Sequence, residues 1–321
     1  MQAIDTVYDR GVALTGAGDV ANYAALAAAS VTAGQFKTCL AAGLFKLGFS
    51  ASGTVTADVK GDATDGYLVR TADIVRWALR HRTVLSDADD LDVASFDQVN
   101  TDQPAPIDYF LGPDENLTVA AFIQAIMAGI GGWGGHRLDG IFEVQIFAAP
   151  TGEPVASFTR DDMIVDISRE PLPDAYRPPR WRWRVPYQRC WTVQTDLAEG
   201  VTAAHKAFVA EPYRLAEATS STIQLDHPFA QDRDPVQAYF SEASDAAAEA
   251  ARLINLFKTT RAIYRMSLPR RALRREMGNV IRVTHPRFDL RSGRPMRIVE
   301  WGVKLQFNGA GVDTVEIAAY G

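Results

Sequence analysis

Polar and apolar residues alternate along several stretches near both ends of the chain. In "GTVTADVKGD", Val55, Ala57 and Val59 fall on one side and the residues between them are polar. This period of two predicts a half-buried strand. The end of the chain repeats the alternation in "RAIYRMSLP", "NVIRVTHP", "PMRIVEWGVKLQF" and "VDTVEIAAYG". It predicts about four closing strands, with "FNGAGV" as a hairpin turn between the last two.

Helical spacing replaces alternation in the middle of the chain. Ile74, Val75, Ala78 and Leu79 form one apolar stripe, which predicts a helix capped by Thr71. The acidic stretch "SDADDLDVASFDQVN" leads into a second, short helix.

Three further helices are predicted. The first begins after Thr118 and ends at "GIGGWGG". The second runs from about Thr202 to Leu215, and the third covers "SEASDAAAEAARLINLFKTT". "QFKTCLAAGLFKLG", "GIFEVQIFA" and "PVASFTRDDMIVDI" are predicted to be largely extended. The Pro-rich "REPLPDAYRPPRWRWRVPY" indicates the clearest boundary between these parts.

The charge is unevenly distributed over the 321 residues. The net charge is −6. Residues 1–160 carry 10 Lys and Arg against 19 Asp and Glu, a net of −9, and residues 161–321 carry 23 against 20, a net of +3. The acidic first half disfavours a general nucleic-acid binder.

Two cysteines, Cys39 and Cys190, are too few for a disulfide framework and are interpreted as small buried residues. No secretory leader and no membrane-spanning run is expected.

Familiar catalytic and ligand motifs are weak in this sequence. "GIGGWGG" has the glycine spacing of a dinucleotide fingerprint, but a helix precedes it and a strand follows, the reverse of the required order. "DADDLD" lacks the glycine and glutamate of a calcium loop and is interpreted as a solvated acidic linker. No two of the five histidines have metal-ligand spacing. We therefore predict no enzyme activity, no metal and no cofactor.

The block "RPPRWRWRVPYQRCW" is the strongest candidate for a functional surface. Arg180, Arg182 and Arg184 alternate with Trp181 and Trp183, so a strand would place arginines on one face and tryptophans on the other. The rings could hold bases or sugars. Alternatively, the tryptophans lie in the core and the arginines pair with acidic neighbours.

A third interpretation is an oligomer interface in which the arginines meet the acidic first half of the next subunit. It extends to "PRRALRRE". The candidate interface residues are Arg180, Trp181, Arg182, Trp183, Arg184, Arg270, Arg271, Arg274 and Arg275.

Three segments resemble the tail-tip or baseplate hub proteins of long-tailed bacteriophages and prophages. They are "GQFKTCLAAGLFKLGFSASGTVTADVKGD" with the helix start "TADIVR", "YQRCWTVQTDLAEGVT", and "GNVIRVTHPRFDLRSGRPMRIVEWGV". Their order and spacing resemble the family's, and together they span most of the chain. Cys190 stands where the family has an asparagine before the tryptophan, so any role of that amide is absent.

The resemblance implies an α+β multidomain fold with tail-tube-like β-barrel domains. Residues 1–66 would form the N-terminal β segment of the barrel, residues 67–178 an inserted α/β module, and residues 179–321 helices and the C-terminal β-barrel segment. The implied protein is a homotrimer in the virion, at the tail tip or baseplate, made in the cytoplasm of the host bacterium. Its implied partners are the distal tail protein, the tape-measure protein and the tip fibre or other baseplate proteins. DNA would pass without sequence-specific binding, and the chain would not insert into a membrane.

Two other functions are weighed against this one. A receptor- or carbohydrate-binding tail-tip protein would expose Trp181, Trp183 and Trp191 in a groove, whereas a hub would bury them. A peptidoglycan-cleaving enzyme would need a pocket with paired carboxylates or a metal.

Overall fold

A computed structural model describes residues 1–112, 115–173, 179–304 and 313–321. These residues form a mixed α+β protein, with 25% of the chain in helices and 34% in strands. The helices are α1 (Tyr23–Ala28), α2 (Thr71–Arg82), α3 (Val93–Asp102), α4 (Val119–Ala128), α5 (Ala203–Ala210), α6 (Ser221–Asp226) and α7 (Ala243–Phe257). The strands are β1 (Ala3–Asp9), β2 (Val12–Ala13), β3 (Thr15–Asp19), β4 (Gln35–Cys39), β5 (Leu44–Leu47), β6 (Val55–Lys60), β7 (Gly132–His136), β8 (Phe142–Ile146), β9 (Ala156–Thr159), β10 (Val165–Pro171), β11 (Arg182–Tyr187), β12 (Arg214–Thr219), β13 (Ala262–Pro269), β14 (Val280–His285), β15 (Leu290–Lys304) and β16 (Thr314–Tyr320).

Two three-stranded sheets form the N-terminal part of the fold. Their orders are β2-β1-β6 and β3-β4-β5, and a small core around Ile4, Val7 and Phe36 joins them. The predicted strand over "GTVTADVKGD" is confirmed as β6. The extended structure predicted over "QFKTCLAAGLFKLG" is confirmed as the hairpin β4–β5, with Gly43 at φ +66° in the turn between the two strands.

The N-terminal sheet packs against a segment much later in the chain. The amide of Ala198 donates to the carbonyl of Arg10 at 2.9 Å, and the Arg10 guanidinium lies 2.7 Å from Asp196. The ring of Tyr8 stacks on His205 with 4.4 Å between ring centroids. Residues 1–66 therefore contact the region after residue 180.

The largest core lies between helices α2, α3, α4 and α7 and the hairpins β7–β8 and β11–β12. Helix α4 begins after Thr118, whose side chain accepts a hydrogen bond from the amide of Ala121 at 3.2 Å, as predicted. The cap predicted for α2 is wrong. Arg70 occupies the N-cap position, and Thr71 is 1% exposed inside the helix.

The six-stranded sheet near the C-terminus has the order β10-β13-β16-β15-β14-β9. The four predicted closing strands are all present, as β13 to β16. The edge strands β9 and β10 are neighbours in sequence, and Asp166 of β10 lies 2.7 Å from His285 of β14, on the far side of the sheet. The sheet is therefore rolled around its own core, which includes Tyr264, Met296 and Ile317. Hydrogen bonding between its described strands does not close it into a complete barrel.

One further prediction differs from the structure. The helix predicted from Thr202 to Leu215 ends at Ala210, and β12 follows, because its alternating Leu215, Ala216 and Ala218 pair with β11. Helix α4 ends at Ala128, immediately before "GIGGWGG", as predicted, and the last glycines of that stretch belong to strand β7. The "FNGAGV" turn lies outside the described residues.

Among the described helices, the longest has 15 residues, and none combines the length and apolar character needed to cross a bilayer.

Candidate functional site: the arginine surfaces

Strand β11 carries the arginine–tryptophan alternation. Trp183 is 2% exposed, and its ring stacks on Phe257 of α7 with 5.3 Å between centroids. Val185 is also buried, whereas Arg182 and Arg184 are partly exposed. The strand therefore places its apolar side chains in the core and its arginines on the opposite face, as the period of two predicts.

Acidic groups of the same chain face these arginines. Arg182 forms an ion pair with Asp232, and its Nη1 lies 3.5 Å from Glu217. Arg184 Nη2 lies 3.3 Å from Asp232 Oδ1 and donates to the carbonyl of Arg233 at 2.7 Å. The hydrogen bond from Arg182 lowers the pKa of Asp232, so this carboxylate stays ionised at neutral pH. This geometry matches the interpretation in which the arginine face pairs with acids of its own chain.

A groove of about 510 Å³ runs beside this strand. Arg180 lies along it, donates to the carbonyl of Asp234 at 3.3 Å, and places its guanidinium 4.5 Å from the centre of the Trp183 ring. Three arginines and two aspartates line the groove, so most of its positive charge is balanced within it. Its lining residues are Arg180, Arg184, Gln231, Asp232, Arg233, Asp234, Pro235 and Val236.

The second arginine group lies on the 3-10 turn Arg270–Arg274, which follows β13. The side chains of Arg270 and Arg271 are 74% and 60% exposed. Arg271 forms an ion pair with Asp162, and Arg270 lies 3.9 Å from Asp313. Arg274 is exposed and Arg275 is partly buried.

No ion pair among the described residues joins the two arginine groups into one site. The interface role of both groups stays a prediction.

The other tryptophans of the ligand-binding interpretation are only partly exposed. The Arg182 guanidinium lies 5.2 Å from the Trp181 ring. Trp191 stacks on Tyr239 with 6.2 Å between centroids and has Arg189 at 4.7 Å. With Trp183 in the core, the three rings do not form one exposed platform.

The weaker motifs have structural roles. A Cβ on Gly134 would lie 3.0 Å from the Phe142 ring, so this glycine permits packing of β7 on β8. In "DADDLD", Asp87 receives two 2.8 Å hydrogen bonds from Arg76, and Asp92 caps α3. The stretch is a turn between α2 and α3 with Asp89 exposed, in agreement with the linker interpretation, while Asp87 and Asp92 also make specific contacts. Over the described ranges, no group of three or more His, Cys, Asp or Glu residues is arranged to hold a metal ion.

Two acids with structural roles escaped the sequence interpretation. Asp232 has no pattern that marks it as the partner of β11. Glu249 does have a signal, because it lies three residues after Ala246 on the apolar face of α7 and three residues before Arg252. An acid at such a position is expected to be buried with a cationic partner.

No protein-family model and no curated protein matches the sequence. Among solved structures, the chain is similar to a protein in the virion of a native gene transfer agent particle, with a TM-score of 0.41, 18% identity and coverage of 66% of this chain and 40% of that one. It is also similar to a tail protein from Neisseria meningitidis MC58, with a TM-score of 0.44, 12% identity and coverage of 67% and 58%. A third similar structure is the 43 kDa tail protein of prophage MuSo2 from Shewanella oneidensis, with a TM-score of 0.40, 10% identity and coverage of 65% and 56%.

These neighbours are virion or tail proteins, the class that the three sequence segments resemble. The matched regions span about half of the neighbours' own lengths.

Proposed function

We propose that this chain is a structural virion protein, a trimeric hub at the tail tip or baseplate. Three copies would join the tail tube to the tip fibre or spike and line part of the channel for DNA ejection. The distal tail protein and the tape-measure protein would bind on the tube side, and fibre or baseplate proteins on the other. The role involves no catalytic turnover and no sequence-specific DNA contact.

The rolled six-stranded sheet is the observation that carries this proposal. A tube-like barrel needs a sheet that curves until its edges approach each other. The Asp166–His285 contact at 2.7 Å brings β10 next to β14 across the open seam. Arg287 adds a second contact to Asp166 at 3.3 Å. Side chains thus join the edge strand β10 to the strand next to the opposite edge, where backbone pairing is absent, which supports a barrel-type domain.

The contacts of the N-terminal sheet support a nested domain order. The Arg10–Asp196 and Tyr8–His205 contacts join the first β segment to the region after residue 180. We keep the domains as 1–66, 67–178 and 179–321, with β9 and β10 of the second contributing strands to the sheet of the third. The α/β module would then be inserted between two β-rich parts of one hub.

The charge distribution suits a channel for DNA. A lumen lined by acids would repel phosphate and keep DNA from binding to its wall. The net charge of −9 on residues 1–160 could supply such a lining. Replacing the exposed Asp89 and Asp97 by lysine should slow ejection, while lysines at the exposed Glu199 and Asp226 of the second half serve as the control. Equal ejection rates for both variants would count against an acidic lumen.

The experiment that tests the hub role is assembly without this chain. A particle that lacks it should accumulate tubes without a tip, and a tagged copy should restore the tip and place the tag at the end of the tube. Normal tips in its absence would refute the proposal. A tag on fibre ends would favour the receptor-binding alternative.

A further inference from the structure

Two exposed surfaces combine apolar side chains with charged ones, and the charges of the two surfaces have opposite signs. One is on the helical part, and the other is beside the seam of the rolled sheet. The acidic patch consists of Phe110, Leu111, Glu115 and Leu117. The basic patch consists of Ile164, Val165, Arg270, Arg271 and Arg274.

The acidic patch is the outer side of an aromatic cluster. Phe110, Leu111 and Leu117 are 48%, 48% and 43% exposed. A Cβ on Gly112 would lie 3.7 Å from Phe110 and 3.9 Å from Glu115, so these two side chains flank the same turn. Glu115 is exposed beside them, and residues 101–117 contain no lysine or arginine. Large apolar side chains exposed together within an acidic segment are typical of an interaction surface.

A rigid layer supports this patch from the inside. Tyr109 packs edge-on against Trp191 and Tyr239, with 5.5 and 4.9 Å between ring centroids. Arg189 lies over the same two rings, at 4.7 Å from Trp191 and 5.8 Å from Tyr239. Because these side chains are already ordered, binding at the patch would lose little side-chain entropy.

The basic patch combines the start of β10 with the 3-10 turn after β13. Ile164 and Val165 are 45% and 59% exposed, and the amide of Ile164 donates to the carbonyl of Ser267 at 2.8 Å. Ser267 lies three residues before Arg270, so the apolar pair sits next to the arginines. The three arginines of the patch outnumber the two acids beside them, Asp162 and Asp313, so the patch keeps a net positive charge.

We propose that the basic patch of one copy binds the acidic patch of the next copy. The opposite charges attract, the arginines can bind carboxylates in a bidentate manner, and the apolar side chains exclude water from the centre. Because the two patches differ, the contact is head-to-tail, and repeating it closes a ring when the rotation allows. This inference rests on the proposed trimer and identifies the surfaces that would build it.

Two variants test the pairing, each with one patch destroyed and the other intact. Arg270→Glu with Arg274→Glu reverses the basic patch, and Leu111→Lys with Glu115→Lys reverses the acidic patch. Each should weaken self-association at least ~100-fold, because like charges then face each other. Lys206→Glu with Lys258→Glu is the matched control, since both lysines are exposed and lie outside the two patches. Native mass spectrometry of the full chain gives the number of copies.

Mixing the two variants gives the sharpest result. In the mixture, the intact basic patch of one variant can bind the intact acidic patch of the other, and the two reversed patches also carry opposite charges, so equal amounts should regain association as mixed oligomers. The unaltered chain and the lysine control should form trimers, and each variant alone should be a monomer.

A trimer that survives in either variant would overturn the pairing and leave the hub role intact. An unaltered chain that remains monomeric at high concentration would also overturn it. The hub role would then be judged independently, by the position of the chain in tails.

Discussion

The buried pair Glu249–Arg252 offers the clearest energetic prediction. Glu249 is 2% exposed, and Arg252 donates to both of its carboxylate oxygens at 2.7 Å. Arg252 also donates to the carbonyls of Phe147 at 2.9 Å and Ile130 at 3.3 Å. Gln103 donates to the same carboxylate at 3.2 Å. This pair thus fastens α7 to the end of α3, to the end of α4 and to the segment after β8.

Arg252→Ala should lower the free energy of unfolding by about 3–5 kcal/mol, because it leaves the Glu249 carboxylate buried without its cation. Replacing both residues, Glu249→Leu with Arg252→Met, should cost clearly less, since no uncompensated charge remains. Urea unfolding measured by tryptophan fluorescence compares the variants, because Trp183 lies in the same core.

Arg265→Met is the matched control for this prediction. Arg265 pairs with Glu170 and Glu300 at 2.9 and 2.8 Å, but its side chain is 44% exposed. Its removal should cost only about 0–1 kcal/mol. If Arg252→Ala cost no more than this control, or if the double variant were less stable than Arg252→Ala, the reasoning from burial would be refuted.

Three further predictions concern other parts of the fold. Gly278→Ala should destabilise the sheet by about 1–3 kcal/mol, because Gly278 has φ +81° and an added Cβ would lie 1.7 Å from Gln145 Oε1. Gly302→Ala is the control in the same urea assay. It should be nearly neutral, because a Cβ at Gly302 meets open space. Trp183→Ala should cost about 3–5 kcal/mol and Trp181→Ala much less, since only Trp183 is fully buried; similar costs in urea unfolding would contradict the packing of β11. Burial and the hydrogen bond to Asp58 raise the pKa of Tyr8 to about 12. The stability that this tyrosine contributes should therefore be present below its unfolded pKa near ~10 and be lost as the pH rises through the folded pKa. Tyr8→Phe should remove the tyrosine ionisation that ultraviolet absorbance detects at pH values above the ordinary tyrosine pKa, and an unchanged titration there would contradict this.

Local sequence patterns predicted the regular elements well. The apolar stripe of α2, the Thr118 cap of α4 and the alternation of β6 depend on neighbours within a few residues, and each is present in the structure. The alternation of β11 likewise separated buried Trp183 from Arg182. Periodicity determines which side of an element is apolar before any tertiary contact forms.

Long-range partners could not be predicted in the same way. Asp166 and His285 are 119 positions apart, and nothing in either local pattern indicates that the sheet rolls until they meet. The pairing of β12 with β11 replaced the predicted second half of a helix, because a tertiary partner outweighed helix propensity. Asp232 was missed for the same reason, since its partners lie about 50 positions earlier in the sequence.

Symmetry-averaged images of intact tails that carry a tag on this chain test the central claim most directly. The hub role predicts three copies arranged around the tail axis at the end of the tube. Tags at fibre tips, or a single copy away from the axis, would contradict it and would favour a receptor-binding tail-tip protein.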